Sequence, residues 1–272
     1  MASKHVYPVY IISKGRFEKT LTADNFESAG IDYLIAVEPQ EYKQYCKKLG
    51  EHRVLKLPFS NLGLGSYPAR NYCWEHAKAN GYKYHWLFDD NIIGFWKWVN
   101  GKRERTEHIN NALIFVEYIV NKNNIDIGGF EEPNFCVKVP KKPFKNNCHV
   151  YSAMLIKNDL PYRWRLKYNE DVDLCLQVLH NGGTTISCVY YMANKVSTAN
   201  KQKGGNQTEL YQGNKPEKNL LKAKMLEAVW PQYAKTVIRF KRYHHLINWK
   251  VFKKDNTVNV PGVICTFLSI VF

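Results

Sequence analysis

The sequence predicts an α/β fold, a doubly wound and mostly parallel sheet, followed by a basic, aromatic-rich and helical C-terminal extension. Three observations carry that expectation. Over the first ninety residues, short β-branched runs alternate with amphipathic segments at the spacing of βαβ units. Several of these runs end in polar or charged residues, at the place where open α/β sheets bind ligands. Between Trp230 and Lys254 the chain holds seven Lys/Arg residues and six aromatics but no acidic residue.

The elements follow in order. Residues 5–13 (HVYPVYIIS) read as a strand, followed by an amphipathic segment that stops near Ala29-Gly30. Residues 31–38 (IDYLIAVE) read as a second strand, 39–50 as a helix closed by Gly50, and 52–58 (HRVLKLP) as a third strand. Ser66 is placed to cap a helix running to Asn80, with Pro68 tolerated in its first turn and Gly81 ending it. The strand YKYHWLF then delivers Asp89, Asp90 and Asn91 at its carboxyl end. Thr106 is placed to cap a helix whose Ile109, Ala112, Leu113, Val116 and Val120 keep helical spacing. Residues 138–147 (KVPKKPFKNN) form a basic, proline-broken loop, and 149–160 read as another strand. In 168–183 (YNEDVDLCLQVLHNGG), Leu174, Leu176, Val178 and Leu179 give a helical core face, and Gly182 gives the stop.

Hydrophobic residues at 45% and aromatics at 14% mark a folded chain, long enough for one large domain or two halves sharing a core. The formal charge of +15 favours polyanions or anionic cofactors as partners. The seven cysteines include no C-x-x-C pair, which excludes a zinc ribbon and predicts reduced thiols in a cytoplasmic protein. The N-terminus lacks a signal peptide's long apolar stretch, and the apolar 260–272 (VPGVICTFLSIVF) is too short to span a bilayer. That tail reads as a strand or a docked segment, and no membrane partner is expected.

Five stretches have residue types suited to chemistry. Two adjacent carboxylates at the end of an apolar strand repel each other and are costly to desolvate unless something positive lies against them. Asp89-Asp90 is therefore either a solvated turn or a site for a divalent cation, and its place at a strand's carboxyl end favours the site. Glu170, Asp171 and Asp173 cluster at a helix N-terminus, where the dipole favours ionised carboxylates; the cluster is either ordinary capping or a poised base. Gly63 and Gly65 before Arg70-Asn71 suit a phosphate cradle. The basic loop with Lys195, Lys201, Lys203 and Gly204-Gly205-Asn206 suits closure over a phosphorylated ligand, or is plain surface. The basic aromatic stretch from Trp230 to Lys254 suits phosphate contacts with base or sugar stacking; its alternative is an amphipathic helix with a solvated basic face.

Taken together these residues resemble a nucleotide-sugar glycosyltransferase of the GT-A type. More narrowly, YPVYIISKGR, VEPQEY, ARNYCWEHAKANGYKYHWLFDDNI, YNEDVDLCLQVLHNGGTT and KGGN, in this order, resemble the TET-associated glycosyltransferase family of tailed bacteriophages. The resemblance implies transfer of a sugar from a UDP-sugar to 5-hydroxymethylcytosine, or to a sugar already on it, in the double-stranded DNA of T-even-like phages. It also implies an infected-cell cytoplasmic location and inversion by direct displacement. A divalent Mn²⁺ or Mg²⁺ would be held by Asp90, Asp89 and Asn91, although the contiguous pair departs from a strict D-x-D. Donor contacts would come from Ser13, Lys14, Arg16, Glu38, Arg70, Asn71 and Asp89, with Lys203, Gly204, Gly205 and Asn206. Asp171 is the expected base with Glu170 beside it, and Lys235, Arg239, Lys241, Arg242, His244 and His245 are the expected DNA contacts. On this reading residues 1–100 bind the donor, 101–225 supply the acceptor half, and 226–272 form the basic extension. A metal-dependent nuclease, a non-catalytic DNA-binding protein, and a glycosyltransferase with a non-DNA acceptor are the alternatives.

Overall fold

A computed structural model of the chain describes residues 4–196, 204–205 and 215–253. The first four strands are β1 (Val9–Ile12), β2 (Leu34–Val37), β3 (Val54–Lys56) and β4 (Tyr84–Asp89), with helices α1 (Leu21–Ser28), α2 (Tyr42–Leu49) and α3 (Tyr67–Ala79) between them. Then come β5 (Ile92–Val99), β6 (Lys102–Thr106), α4 (Ile109–Lys122), β7 (Ile127–Glu131), β8 (Phe144–Asn146) and β9 (Ala153–Lys157). The remainder is α5 (Glu170–His180), β10 (Ile186–Lys195), α6 (Lys215–Val229), β11 (Ala234–Arg239) and β12 (Arg242–Ile247).

One ten-stranded sheet runs β3-β2-β1-β4-β9-β7-β10-β5-β6, with β8 on β10. β1 pairs parallel with both β2 and β4, β2 with β3, and β10 with β7. Strands β9, β5 and β8 run against the others. The chain leaves β1 in one direction through β2 and β3, then returns to β4 on the opposite side of β1. That reversal opens a crevice beyond the carboxyl ends of β1 and β4, where Ile12 lies opposite Asp89.

Alternation along the strands divides the core into two layers. Val9, Ile11, Trp86 and Phe88 pack with α1 and α4 on one face, while Tyr10 and Leu87 pack with α3 and α5 on the other. A third cluster joins Val172 and Leu176 of α5 to Leu226, Trp230 and Ala234, which docks the extension on the outer side of α5.

Several expectations change. The segment Ala234–Ile247 is an antiparallel ribbon, not an amphipathic helix. Its alternating Thr236, Val237, Ile238 and Tyr243 suit strands, and Phe240 and Lys241 close it with φ of 50° and 58°, the pattern of a two-residue hairpin turn. The basic loop 138–147 ends in a short strand, β8. Ser66 and Thr106 precede helices as expected, but neither caps with its side chain: Ser66 bonds to Glu170, and the helix after Thr106 starts from His108. The apolar tail 260–272 lies outside the described residues.

Candidate active site

The crevice at the β1/β4 switch point holds a cavity of about 220 Å³. One ordered water needs only about 10–15 Å³ of such space, so the cavity is ligand-sized. Its floor is the first carboxylate pair. Asp90 is buried, and its Oδ2 accepts a 2.6 Å hydrogen bond from Ser13 Oγ while its Oδ1 is paired with Arg16. Behind Ser13 runs a relay: the Arg16 N–H donates to the Tyr45 hydroxyl, which lies 2.7 Å from Ser13 Oγ. Burial pushes the Asp90 carboxyl above the usual carboxylate range, against the pull of Arg16 and Ser13. Asp89, the last residue of β4, accepts a 2.8 Å bond from Arg70 Nη2.

The loop after β1 forms one wall. Lys14 Nζ lies 2.9 Å from Glu38 Oε1, and Glu38 Oε2 accepts from Gln40 Nε2 and the Asn61 N–H. Burial alone would raise the Glu38 carboxyl; those donors and Lys14 hold it below its ordinary value. Gly204-Gly205 closes against this loop, the Gly205 N–H donating to Lys14 O at 2.7 Å and Arg16 Nη2 to Gly204 O at 3.2 Å. A Cβ on Gly204 would stand 2.5 Å from Gly15 O, so only glycine allows this approach.

The second pair forms the opposite wall, at the start of α5. Arg70, buried and lying 4.8 Å over the Trp164 ring, reaches Glu170 Oε1 at 3.4 Å as well as Asp89. Ser66 Oγ donates to the same Glu170 oxygen at 2.7 Å. One guanidinium thus joins both carboxylate pairs. Burial raises the Glu170 carboxyl despite Arg70. Burial would do the same to Asp171, but His149 Nε2 at 3.2 Å from its Oδ2, Lys222 and the Val172 N–H hold it well below the carboxylate range. His149 is stacked between Tyr151, at 4.6 Å, and Trp249, at 6.1 Å with the planes 5° apart. Lys195 Nζ bonds Ser152 Oγ at 2.6 Å and Glu132 at 3.2 Å on the same side. Ser152 has φ of 61°, an uncommon backbone state at a residue lining the crevice.

Ser13, Lys14, Arg16, Glu38, Arg70, Asp89, Asp90, Asn91, Glu170, Asp171 and Gly205 all line or floor this crevice. Asn71 does not: both ends of its amide bond the Trp164 backbone, at 2.8 Å and 3.1 Å, so it pins the ring beneath Arg70. Asp173 also turns away, to Arg165, Gln177 and Trp230. Lys201, Lys203, Asn206 and Lys254 lie outside the described residues. On the ribbon, Lys235, Arg239, Arg242 and His244 lie on its outer face by register, with Lys241 at the tip; His245 pairs with Thr236 on the inner face. Burial lowers His245 to about 4, so that imidazole is neutral at physiological pH. Lys145 of the loop KKPFK is paired with Glu131. His149, Tyr151, Ser152 and Trp164 had no sequence signal, because strands and helices far apart in the chain bring them to the site.

Among the described residues no group of three His, Cys, Asp or Glu side chains is placed to hold a metal. The oxygens that fit a hard cation are fewer. Both Asp90 oxygens are already engaged, but Asn91 Oδ1 is out of water with no hydrogen-bond partner, and only one Asp89 oxygen meets Arg70. Two oxygen donors suit Mg²⁺ or Mn²⁺, which take one or two protein ligands and complete their shell with substrate phosphates and water.

Residues 7–205 match the model of a family described as TET-Associated Glycosyltransferase. No curated protein matches the chain. A solved structure from Desulfovibrio desulfuricans G20, provisionally described as a nucleotide-diphospho-sugar transferase, is similar over 67% of this chain and 80% of its own, at 11% identity and a TM-score of 0.38.

Proposed function

The chain belongs to the TET-associated glycosyltransferase family, and on that premise we propose that it is a nucleotide-sugar-dependent enzyme that transfers the sugar of a UDP-sugar to 5-hydroxymethylcytosine, or to a sugar already on it, in phage duplex DNA. The observation that carries this reading is the meeting of two carboxylate pairs across Arg70, with opposite environments for Glu170 and Asp171. Pairs whose environments push their protonation apart mark acid/base assignments.

The donor diphosphate lies in the crevice between the Lys14–Arg16 loop and the start of α3, where Lys14, Arg16 and Arg70 supply positive charge. Asp89 and Asn91 would hold the divalent cation, which when bound supplies charge neutralisation for the departing nucleoside diphosphate. Asp90 keeps the β1 loop in place through Ser13 and Arg16. On the opposite wall Asp171 takes the proton of the acceptor hydroxyl as its oxygen bonds the anomeric carbon and the bond to the diphosphate oxygen breaks. Asp171 is ionised and so able to accept that proton, and displacement from the face opposite the leaving group inverts the sugar. Glu170, fixed by Ser66 and Arg70, orients the acceptor. The described basic residues and the +15 charge support a polyanionic acceptor.

Incubation with hydroxymethylated duplex, Mn²⁺ and a panel of UDP-sugars tests the reading. Mass spectrometry of the digested DNA is expected to show hydroxymethylcytosine heavier by one sugar, and excess chelator is expected to abolish the gain. Shortened DNA without consumption of any donor would instead identify a nuclease. Donor consumption with DNA unchanged would move the acceptor to another class of molecule.

A further inference from the structure

The ribbon β11–β12 belongs to no part of the main sheet, and its outer end stands clear of the body. Ile238 is 67% exposed and Phe240 is 91% exposed. Phe240 occupies the first position of the two-residue turn with φ of 50°, where a bulky residue is uncommon and Asn or Gly is favoured. The same chain builds the equivalent turn of β5–β6 from Asn100-Gly101, with φ of 46° and 78°. An exposed phenyl in a left-handed turn serves neither packing nor the turn. Around it stand Arg239, Lys241 and Arg242, with Lys235 and His244 further down the same outer face. No acidic side chain interrupts this surface, since none occurs from Trp230 to Lys253.

The inner end of the ribbon adjoins the candidate base. His245 lies within electrostatic reach of Asp171, His149 and Lys222, and Trp249, just past β12, stacks on the imidazole of His149. From His245, level with Thr236, to the tip is four residues, or roughly 14 Å at about 3.4 Å per residue. Duplex DNA rises about 3.4 Å per base pair, so the tip reaches about four base pairs from the nucleotide that faces Asp171.

We propose that β11–β12 lies in the major groove of the acceptor duplex, with Phe240 against base edges and Arg239 and Arg242 on flanking phosphates, about four base pairs from the reacting cytosine. The inference rests on the DNA-acceptor reading above. The chemistry of the groove favours it: a two-stranded β-ribbon fits the major groove, and a substituent at C5 of a pyrimidine projects there. The ribbon therefore approaches from the side on which the acceptor hydroxyl is presented.

Phe240→Asn tests it without disturbing the fold, because Asn is at ease at positive φ. Its melting temperature is expected to equal or exceed that of the wild type. Its affinity for a hydroxymethylated duplex, by fluorescence anisotropy at fixed salt, is expected to fall roughly tenfold, and Phe240→Trp to retain most of it. Transfer by the wild type is expected to drop when the modified base lies fewer than about four base pairs from one particular duplex end, and Phe240→Asn to lose that dependence. Unchanged affinity together with an unchanged end dependence in Phe240→Asn overturns the proposal. If the wild type transfers no sugar to hydroxymethylated DNA, the acceptor reading fails by itself. Anisotropy on unmodified duplex then decides about the ribbon: weaker binding by Phe240→Asn upholds it, and equal or absent binding overturns it.

Discussion

Asp89–Asp90 and Glu170–Asp171 are both adjacent carboxylate pairs in one crevice, one at the end of a strand and the other at the start of a helix. Asp89 and Asp90 are held separately, by Arg70 and by Arg16 with Ser13, so the repulsion between neighbours is opposed by fixed cations of the chain itself. In the second pair the two members part company. Glu170 is buried against Arg70 and Ser66 and is pushed up, whereas Asp171 faces His149 and Lys222 and is pulled down. The difference teaches that charge at the strand end is matched by fixed cations, while the two carboxyls at the helix start are pushed in opposite directions, a division that the proposed proton transfer would use. Arg70 links the two pairs, so the two sides of the crevice are not independent.

The most forceful way to break this comparison is to neutralise the member with the proposed chemical role. Asp171→Asn is expected to lower sugar transfer by about 10²–10⁴-fold while donor and duplex affinities stay near those of the wild type. If Asp171 were only a cap, its loss would cost about 1 kcal/mol of stability and leave transfer nearly intact. Melting temperature, donor affinity and transfer rate on one preparation separate the two. A folded variant with near-normal transfer removes Asp171 from the mechanism and moves the role to Glu170.

The link itself can be cut with Arg70→Met. Removing one partner of a buried ionic cluster is expected to cost about 3–5 kcal/mol in denaturant unfolding, because Asp89 and Glu170 are left facing each other without their cation. Asp89→Asn in the Arg70→Met background is then expected to recover part of that loss, since the neighbouring charge disappears with it. Strict additivity of the two substitutions would show that the pairs do not interact through Arg70.

Much of the first hundred residues was legible because they obey local rules. β1 to β4 and their helices follow the alternation of apolar runs and stops, and the switch point after β1 places Asp89 and Asp90 where an open sheet binds ligands. The second half was less legible. β7 contains Gly128-Gly129, which weakens any reading as a strand, yet a Cβ on Gly129 would fall 2.3 Å from Ala153 O and 2.4 Å from Val150 Cγ1. The glycines answer a tertiary contact that no local pattern expresses. The hairpin β5–β6 did have a local signal, Asn100-Gly101 between alternating residues, and it passed unread. The extension was misread because its aromatics suit a helix face as well as a strand, and the Phe240-Lys241 turn lacks the usual residues. At the site, the residue types of both pairs were visible. The partners that set them apart were not, since Arg70 meets Glu170, and His149 and Lys222 meet Asp171, only through long-range packing.

The smallest expected effect sharpens the comparison inside the second pair, through pH. A carboxyl held below its ordinary value contributes stability above the unfolded-state value, about 3.9 for Asp, and loses that contribution as pH falls through the folded value. Asp171 is such a group. The melting temperature of the wild type minus that of Asp171→Asn is therefore expected to shrink as pH falls from 6 towards 3. Glu170 has the opposite sign. Its raised folded value gives a contribution fully present below the unfolded value, about 4.3 for Glu, and lost as pH rises through the folded one. The difference between wild type and Glu170→Gln is expected to widen over the same fall in pH. A chain of this size shifts by only about 2–4 °C per kcal/mol, so the two slopes must be read from parallel series in one set of buffers. Opposite slopes follow from His149 acting on Asp171 while burial dominates at Glu170. Slopes of the same sign would mean that the two carboxyls share one environment, and the division between base and orienting residue would fall with it.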